Sequence, residues 1–252
     1  MNNKKLFRGV GGIYRYQKFQ QPSRGFWRLI WKPICASTEI ELSTWIAEKP
    51  VERYRPKAIF ASSQKYGKGQ FGRDWHSPKG GVWVSAAINS EDSKTNHSQL
   101  FGLAVALAMV ERFERLGVDV KIKWPNDLLV QGKKLAWILP RLFFRGGELR
   151  LLRVGVGLNV FNSVPKEGIS LKQIYGNENR NIHFWASEVL FAIERSLDLL
   201  DDQQFLCNQI EKRLWAKKYI DKEIGLQWEI KGIDSIGRLI IIKEGKEILL
   251  SN

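Results

Sequence analysis

The sequence predicts an α+β fold, in which a mixed and mainly antiparallel sheet carries helices grouped on one face. Two observations indicate this class. Short apolar runs bounded by glycine, proline and polar residues recur along the chain, and two longer segments place apolar residues at helical spacing. From about residue 222 onward only short strands follow. Because that stretch is too small to be stable alone, it predicts a small β unit docked on the main domain.

The first half of the chain alternates predicted strands and helices. Ser37 or Thr38 is placed to cap a helix. The helix that ends before Gly117 is the clearest, because Leu103 and Leu107 belong to an apolar series with helical spacing and glycine is common just past a helix end. The predicted elements are strands at 26–34, 57–61 and 82–88 and helices at 39–46 and 99–116.

The second half continues with strands, two helices and a final run of strands. Gly146 and Gly147 are adjacent between two apolar runs, which predicts a hairpin. The predicted elements are strands at 121–124, 134–144 and 148–160, helices at 184–200 and 203–215, and C-terminal strands at 224–230, 239–243 and 247–250. The resulting division is a basic, partly disordered lead-in over 1–25, a main domain over 26–220 and the small β unit over 221–252.

The chain carries a strong excess of positive charge. Among its 252 residues, Lys and Arg outnumber Asp and Glu by 40 to 26, which gives a formal net charge of +14. This charge favours anionic partners such as nucleotides, nucleic acids or acidic proteins. The basic residues are spread along the chain without a helix-turn-helix or an aromatic RNA-binding signature, so a nucleic-acid-binding protein is the weaker alternative.

Cysteine content and hydropathy set further limits. Cys35 and Cys207 lie far apart, without the spacing of a metal site or a disulfide framework, so we expect a reducing, cytoplasmic setting. The longest strictly apolar stretch, 103–110, is far too short to span a bilayer. No membrane partner is therefore expected.

Residues 123–127, KWPND, narrow the function more than any other segment. Pro125 has a fixed φ and pushes Trp124 towards extended geometry, so Asn126 and Asp127 are presented at a defined turn. Lysines follow at positions 133 and 134. A lysine pair taken alone is typical of a solvated turn.

Two further segments combine glycine with polar residues. Residues 62–78, SSQKYGKGQFGRDWHSP, form a loop whose backbone amides and cations can close over phosphate oxygens, although ordinary hairpin loops also use glycine. Residues 154–159 read VGVGLN. Their glycines either leave room for a ligand beside a strand or form a β-bulge, and Asn159 can donate to and accept from a purine edge.

These segments together resemble the biotin protein ligase family in residues, order and spacing, over about residues 30–250. The resemblance implies a catalytic domain of the type shared with lipoate ligases and class II synthetases, followed by an SH3-like C-terminal domain. It implies a two-step reaction in which biotin and ATP, with Mg²⁺, form biotinyl-adenylate and the acyl group moves to a lysine of a carrier protein. The implied partner is the biotin carboxyl carrier protein of acetyl-CoA carboxylase.

The resemblance also bears on the form of the enzyme. About thirty residues precede the first predicted core strand, too few for the DNA-binding domain of the family's repressor members, so we expect a monofunctional ligase with no DNA partner. A homodimer is left open, because the sequence does not determine the oligomeric state. A lipoate or octanoate ligase of the same fold is the alternative enzyme, although KWPND with paired lysines is not expected there.

Residues that match the family's motifs receive candidate roles. Negative charge gathers on the attacked phosphate and the departing pyrophosphate, so the chemistry needs cations held in place before reaction. The candidate catalytic residues are Lys68, Arg73 and Lys134. The candidate biotin-binding residues are Ser37, Thr38, Gln64, Gly67, Lys68, Gly69, Lys134, Gly155 and Gly157. The candidate adenylate-binding residues are Trp75, Asn126, Asp127 and Asn159, and no metal ligand is assigned.

Simpler roles remain open for several of these residues. Ser37 and Thr38 suit a plain helix cap, and Trp75 suits an ordinary half-buried aromatic position. Asn126 and Asp127 either anchor the turn or help to hold Mg²⁺ through water, because magnesium usually takes few protein carboxylates.

Three positions depart from the family pattern. The loop has Lys68 and Gln70 where the family usually carries arginines, so one charge is kept as a point charge and another is lost. The strand after Lys134 has Trp137 where the family has glycine beside the biotin pocket. These departures leave open a degenerate relative that folds but no longer forms the adenylate.

Overall fold

The fold is described from a computed structural model, which covers residues 9–20, 27–67, 69, 75–92, 98–176, 180–221 and 225–251. Two sheets organise these residues. A seven-stranded sheet forms the main domain, and a four-stranded sheet follows it in the C-terminal part of the chain. None of the helices in these ranges is long and apolar enough to cross a membrane.

The main sheet is mixed and mainly antiparallel, as predicted. Its strands are β1 Arg28–Lys32, β2 Lys57–Ala61, β3 Val82–Asn89, β4 Lys121–Lys123, β5 Asp127–Val130, β6 Lys133–Arg145 and β7 Glu148–Leu158. Their order across the sheet is β1-β2-β3-β7-β6-β5-β4. The β1–β2 pair is parallel and the pairs from β2 to β4 are antiparallel. Gly146 and Gly147, both with positive φ, form the predicted turn between β6 and β7.

Six α-helices lie in the described ranges. They are α1 Gly11–Gln20, α2 Thr38–Glu48, α3 Phe101–Arg115, α4 Leu171–Tyr175, α5 Ile182–Leu199 and α6 Gln203–Lys212, with short 3₁₀ turns at Ser90–Asp92 and Ser98–Leu100. Helices α3 and α5 pack against each other. Both are buried in the core, because apolar residues cover most of their circumference.

Side-chain alternation gives the main sheet two different faces. In β3 and β7 the residues Val84 and Val156 point into the large apolar core that includes α3 and α5. Their neighbours Ser85 and Gly157 therefore point to the opposite face. Helix α2 packs on this second face, where Leu42 contacts Ile59. The predicted grouping of helices on one face thus holds for α3 and α5, whereas α2 packs on the opposite face of the sheet.

The C-terminal sheet forms the predicted small β unit, and its strands are antiparallel. Its strands are β8 Lys218–Ile220, β9 Gln227–Ile233, β10 Leu239–Lys243 and β11 Lys246–Leu250, in the order β11-β10-β9-β8. Strand β8 begins three residues before the expected boundary at 221, and β9 starts later than predicted because Gly225, with φ of 67°, turns the chain just before it. Trp124 ties this unit to the main domain by donating to the Gly237 carbonyl at 2.9 Å.

Four helices and strands of the described ranges were not predicted, namely α1, β5, α4 and β8, and two of them correct a specific expectation. The lead-in is not structureless over Gly11–Gln20, which forms α1: Ile13 is fully buried, and the Tyr14 hydroxyl donates to the Trp27 carbonyl at 3.0 Å. The pattern missed this helix because few apolar side chains mark its buried face. Residues after KWPN were expected to form only a turn, yet Asp127–Val130 is a strand between β4 and β6. Four residues are too few to show a period.

Candidate active site

The KWPND turn brings a lysine and a carboxylate together. Asp127 is the first residue of β5 and Lys134 is the second of β6, and a register shift after Leu128 places Lys134 opposite Leu129. The Lys134 ammonium lies 2.7 Å from the Asp127 carboxylate. The Lys134 side chain is 35% exposed and that of Asp127 only 15%, so the ion pair lies at the edge of the protein interior with its cation facing outward. Lys133 is exposed, in keeping with a solvated position.

Backbone contacts hold Lys134 in place from both sides. Its amide donates to the Glu167 carbonyl at 2.8 Å, and its carbonyl accepts from the Ile169 amide at 2.9 Å. Its ammonium also lies 5.4 Å from the centre of the Trp75 ring, within the range of a cation–π contact. The charge is therefore positioned before any ligand binds, as stabilisation of a developing anion requires.

A cavity of about 320 Å³ opens beside this lysine. Three of the sequence-predicted residues line it, namely Trp75, Lys134 and Asn159. The other lining residues were not predicted: they are His76, Asn162, Ser163, Pro165, Glu167 and Gly168. A cavity of about 380 Å³ lies between α6 and β9, but none of the predicted residues lines it, so volume alone does not identify the site.

Four side chains form a second polar cluster on the same face of the sheet, which we name the polar group: Thr38, Gln64, Ser77 and Ser85. The Gln64 side-chain oxygen accepts from the Thr38 amide at 2.7 Å and its nitrogen donates to the Ser77 hydroxyl at 2.8 Å. The Thr38 and Ser85 hydroxyls lie 2.9 Å apart. The sequence analysis named Thr38 and Gln64 but missed both serines, although Ser85 interrupts an apolar run in β3 and Ser77 lies next to the end of the glycine-rich segment.

Ser37 serves as the helix cap that was one of its two predicted roles. Its hydroxyl accepts from the Glu39 amide at 3.3 Å at the start of α2. Capping satisfies an amide that has no partner within the helix, so this contact also fixes the entry of α2 beside the polar group. Thr38, the next residue, is buried and turns inward to Gln64.

Cys35 lies beside the polar group but is not a nucleophile at neutral pH. Its backbone forms an isolated parallel β-bridge with that of Gln64, and its side chain is buried. Burial, with the nearby Glu41 carboxylate as the next cause, raises the pKa of the Cys35 thiol to about 11. The thiol therefore stays protonated and behaves as a small apolar group.

Gly67 approaches other backbone closely, whereas the loop cations fall outside the described residues. An added Cβ at Gly67 would lie 2.6 Å from the Trp75 carbonyl oxygen and 2.7 Å from the Ser77 hydroxyl. The Gly67 carbonyl accepts from the Trp75 amide at 2.8 Å, which closes the loop on itself. Lys68, Gln70 and Arg73 lie outside the described residues, and Gly69, between two of them, is half-buried.

Trp137 covers the glycines of β7. It is paired with Gly157 across β6 and β7, and an added Cβ at Gly157 would overlap its indole nitrogen. At Gly155 an added Cβ would lie 3.5 Å from the same ring. The pairing of β3 with β7 is continuous through both glycines, so they form no bulge. The space that they leave is filled by the indole of this chain's own Trp137.

The two tryptophans separate the cavity from the polar group. Trp137 is 7% exposed and meets Trp75 edge to face, with ring centres 5.2 Å apart. The cavity is lined by Trp75 but by no member of the polar group and by neither glycine. The indole N–H of Trp137 is buried and has no hydrogen-bond partner among the described residues. Trp137 thus lies between the cavity, which its neighbour Trp75 lines, and the polar group, whose Ser85 is paired with Gly155.

Metal ligands are sparse around the cavity. In the described ranges, no three His, Cys, Asp or Glu side chains are grouped so that they could hold a metal ion. Asp127 is already paired with Lys134, which supports its role as an anchor of the turn. For Asn126, the structure shows its carbonyl accepting from the Ile138 amide at 2.9 Å, again a contact that anchors the turn.

Comparison with known proteins defines the class of protein to which this fold and site belong. The biotin/lipoate A/B protein ligase family matches residues 44–159, which run from α2 through the cavity to Asn159. Biotin–protein ligase 2 of Arabidopsis thaliana is 33% identical over 261 residues, covering 95% of this chain and 74% of that protein. The chain belongs to the biotin protein ligase family.

Other relatives agree with this assignment. The bifunctional ligase/repressor BirA of Escherichia coli is 31% identical over 205 residues, covering 75% of this chain but only 62% of that protein. The biotin protein ligase of Aquifex aeolicus, solved in complex with biotin and ATP, superposes with a TM-score of 0.68 at 25% identity, covering 88% of this chain and 95% of that one. The mixed sheet with its small C-terminal β unit is the fold of these ligases.

Proposed function

We propose that the chain is an ATP-dependent ligase that forms biotinyl-adenylate and transfers the biotinyl group to a lysine of a biotin carboxyl carrier protein. The observation that carries this proposal is the position of Lys134: its ammonium is held by Asp127 at 2.7 Å on the wall of the cavity. The polar group lies on the same face of the sheet, so a nucleotide in the cavity and an acyl group over β7 would meet near Lys134.

In the first step, a biotin carboxylate oxygen attacks the α-phosphorus of ATP. A carboxylate oxygen to phosphorus bond forms, and the bond to the departing pyrophosphate breaks. Both the transferred group and the leaving group carry negative charge, so a fixed cation stabilises the transition state more than a mobile one does. Lys134 is fixed by its backbone contacts and by Asp127. Lys68 and Arg73 of the glycine-rich loop are proposed as further cations.

In the second step, the amine of the carrier lysine attacks the acyl carbon of the adenylate. The new C–N bond forms, the bond to the AMP phosphate oxygen breaks, and the amine loses a proton. A protein whose net charge is +14 favours encounter with an acidic carrier surface. Biotin–[acetyl-CoA-carboxylase] ligase of Paracoccus denitrificans is 32% identical over 108 residues, which supports the carrier of acetyl-CoA carboxylase as the partner.

The chemistry of the polar group supports biotin over a linear acyl group. The ureido ring of biotin has two N–H donors and one carbonyl acceptor in a plane. Thr38, Gln64 and Ser85 offer two hydroxyls and an amide within one hydrogen-bonded cluster. A linear octanoyl chain has no donor or acceptor along its length, so it would form no hydrogen bond with this cluster, whereas the ureido ring can.

We propose that Mg²⁺ enters bound to the ATP phosphates. Magnesium keeps several waters and takes few protein carboxylates. Asp127 is the one predicted carboxylate beside the cavity, and its pairing with Lys134 leaves it poorly suited as a direct ligand. When bound, the ion neutralises phosphate charge. The two buried free cysteines, Cys35 and Cys207, support a reducing, cytoplasmic setting for the reaction.

Incubation with biotin, MgATP and a biotin-carrier domain tests the proposal. The intact mass of the carrier should rise by one biotinyl group, and omission of ATP should abolish the gain. A carrier whose acceptor lysine is replaced by arginine is the matched control. A parallel reaction with octanoate and a lipoyl domain tests the alternative enzyme: acylation there, without biotinylation of the carrier, would overturn the proposal.

A further inference from the structure

Two asparagines on the cavity wall are connected to each other and to the backbone. Asn159 ends the VGVGLN segment and Asn162 follows three residues later, and both are buried. The side-chain nitrogen of Asn162 donates to the side-chain oxygen of Asn159 at 2.9 Å. Neither sequence periodicity nor the motif pointed to Asn162. Both side chains line the cavity beside Lys134.

Backbone groups at the two ends of this pair fix the orientation of both amides. The Val160 amide can only donate, so the atom of Asn162 that lies 3.0 Å from it is the side-chain oxygen. The Ser163 carbonyl can only accept and lies 3.0 Å from the side-chain nitrogen of Asn162. The Lys134 carbonyl can also only accept, and the side-chain nitrogen of Asn159 donates to it at 3.2 Å. Each amide therefore has a single orientation that satisfies all its neighbours.

This network leaves a defined pattern on Asn159. An amide nitrogen has two hydrogens and an amide oxygen has two lone pairs. Among the described residues, Lys134 takes one hydrogen and Asn162 takes one lone pair, which leaves one donor and one acceptor side by side at the cavity. One edge of adenine offers an acceptor at N7 and a donor at N6, which match this pattern. The same edge of guanine offers two acceptors, which do not.

We propose that Asn162 is a positioning residue for nucleotide choice: it holds the Asn159 amide in the orientation that reads adenine. The inference rests on the proposed use of this cavity by ATP. In the unmutated chain, reversal of the Asn159 amide would place oxygen against the Lys134 carbonyl and nitrogen against the Asn162 nitrogen. Both contacts would then be lost, so Asn162 selects the base without contacting it.

Asn162→Asp separates this role from a merely structural one. The aspartate keeps an oxygen for the Val160 amide, so the turn after β7 retains its cap. Its second oxygen faces the side-chain oxygen of Asn159, and two acceptors repel, so this contact now opposes the orientation of the Asn159 amide that the Lys134 carbonyl favours. The added negative charge weakens every nucleoside triphosphate alike, so it cancels in the ratio between ATP and GTP.

Calorimetric titration of the full chain with ATP and with GTP tests the proposal, because it needs no acyl transfer. The unmutated chain should prefer ATP, and Asn162→Asp should reduce the ATP-to-GTP affinity ratio about tenfold, within the range expected for one bidentate base contact. Asn162→Ala leaves the Lys134 carbonyl as the remaining orienting contact of Asn159, so it should reduce the ratio less than the aspartate does, and it serves as the test if the aspartate variant does not fold. In an Asn159→Ala background, Asn162→Asp should change the ratio no further.

The titrations of the single and double variants decide whether Asn162 positions Asn159. An unchanged ratio in Asn162→Asp, or an equal further loss in the Asn159→Ala background, overturns the positioning role. A second assay, pyrophosphate release in the presence of biotin and ATP, separates this inference from the proposed function. Selective ATP binding without biotin-dependent release would overturn the ligase and leave the inference tested by the binding ratios, and an unmutated chain that binds neither nucleotide overturns both.

Discussion

Replacing Trp137 with glycine removes the indole that covers Gly155 and Gly157, and we expect the variant to bind biotin more tightly. The indole lies between the cavity and the polar group, so a ligand that spans both must displace it. In the unmutated protein this displacement opposes binding. In the variant the space over β7 is already open.

The size of the effect follows from the contacts of the ring. Separation from Trp75 loses an edge-to-face contact of about 0.5–1.5 kcal/mol. Exposing about a third of an aromatic side chain, roughly 50–80 Å², costs about 1–2 kcal/mol. The indole N–H, without a partner among the described residues, regains a hydrogen bond worth about 1 kcal/mol. The net cost is about 1–2 kcal/mol, so biotin should bind about tenfold more tightly to Trp137→Gly.

Calorimetric titration with biotin measures this difference, and thermal melting measures the accompanying loss of stability. Loss of a buried tryptophan costs about 3–5 kcal/mol, so the variant should melt at lower temperature. Trp228→Gly is the matched control, because Trp228 is 8% exposed in the C-terminal sheet and Trp137 is 7% exposed. The control should lose stability without a gain in biotin affinity.

Equal or weaker biotin binding by Trp137→Gly would refute the reasoning, since the indole would then be a wall that contacts the ligand. A third result concerns the proposed function itself. If the unmutated protein binds no biotin at millimolar concentration and the variant does, the site is closed and the chain is a degenerate relative.

Three further predictions concern the catalytic cation, the loop and the charge. Lys134→Ala should keep the fold, because a partly exposed ion pair contributes about 1 kcal/mol or less to stability. Its biotin-dependent pyrophosphate release should fall about a hundredfold or more. Lys133→Ala is the control, and near-normal release in Lys134→Ala would contradict the assignment of Lys134 as the catalytic cation. Gly67→Ala places a Cβ 2.6 Å from the Trp75 carbonyl oxygen, so the protein should lose about 1–3 kcal/mol of stability and melt at a lower temperature. The control Gly11→Ala places its Cβ more than 4 Å from any atom and should leave the melting temperature unchanged. Equal melting temperatures of the two variants would contradict the close approach at Gly67. Carrier biotinylation at low carrier concentration should slow as salt rises, because steering by charge is screened over about 8 Å at physiological ionic strength, and salt-independent rates would exclude such steering.

The sequence by itself determined the elements and residues whose signal is local. The helix Phe101–Arg115 follows from its apolar spacing and from Gly117, whose φ of 80° suits glycine. The hairpin at Gly146 and Gly147 follows from two adjacent glycines for the same reason. Thr38, Gln64 and Lys134 were identified because they stand in short motifs, and the structure brings each of them to the second face of the main sheet or its edge.

Only the tertiary structure decided how those residues meet. A one-residue change of register reverses the face of every side chain in a strand, so the position of Trp137 over Gly157 could not be read from the order LAWIL. The Lys134–Asp127 contact depends on an irregularity between β5 and β6. Asn162 acts through contacts to Asn159 and Val160 that leave no repeating pattern. Such contacts depend on pairing between segments distant in sequence, whereas helices and turns depend on neighbours a few residues apart.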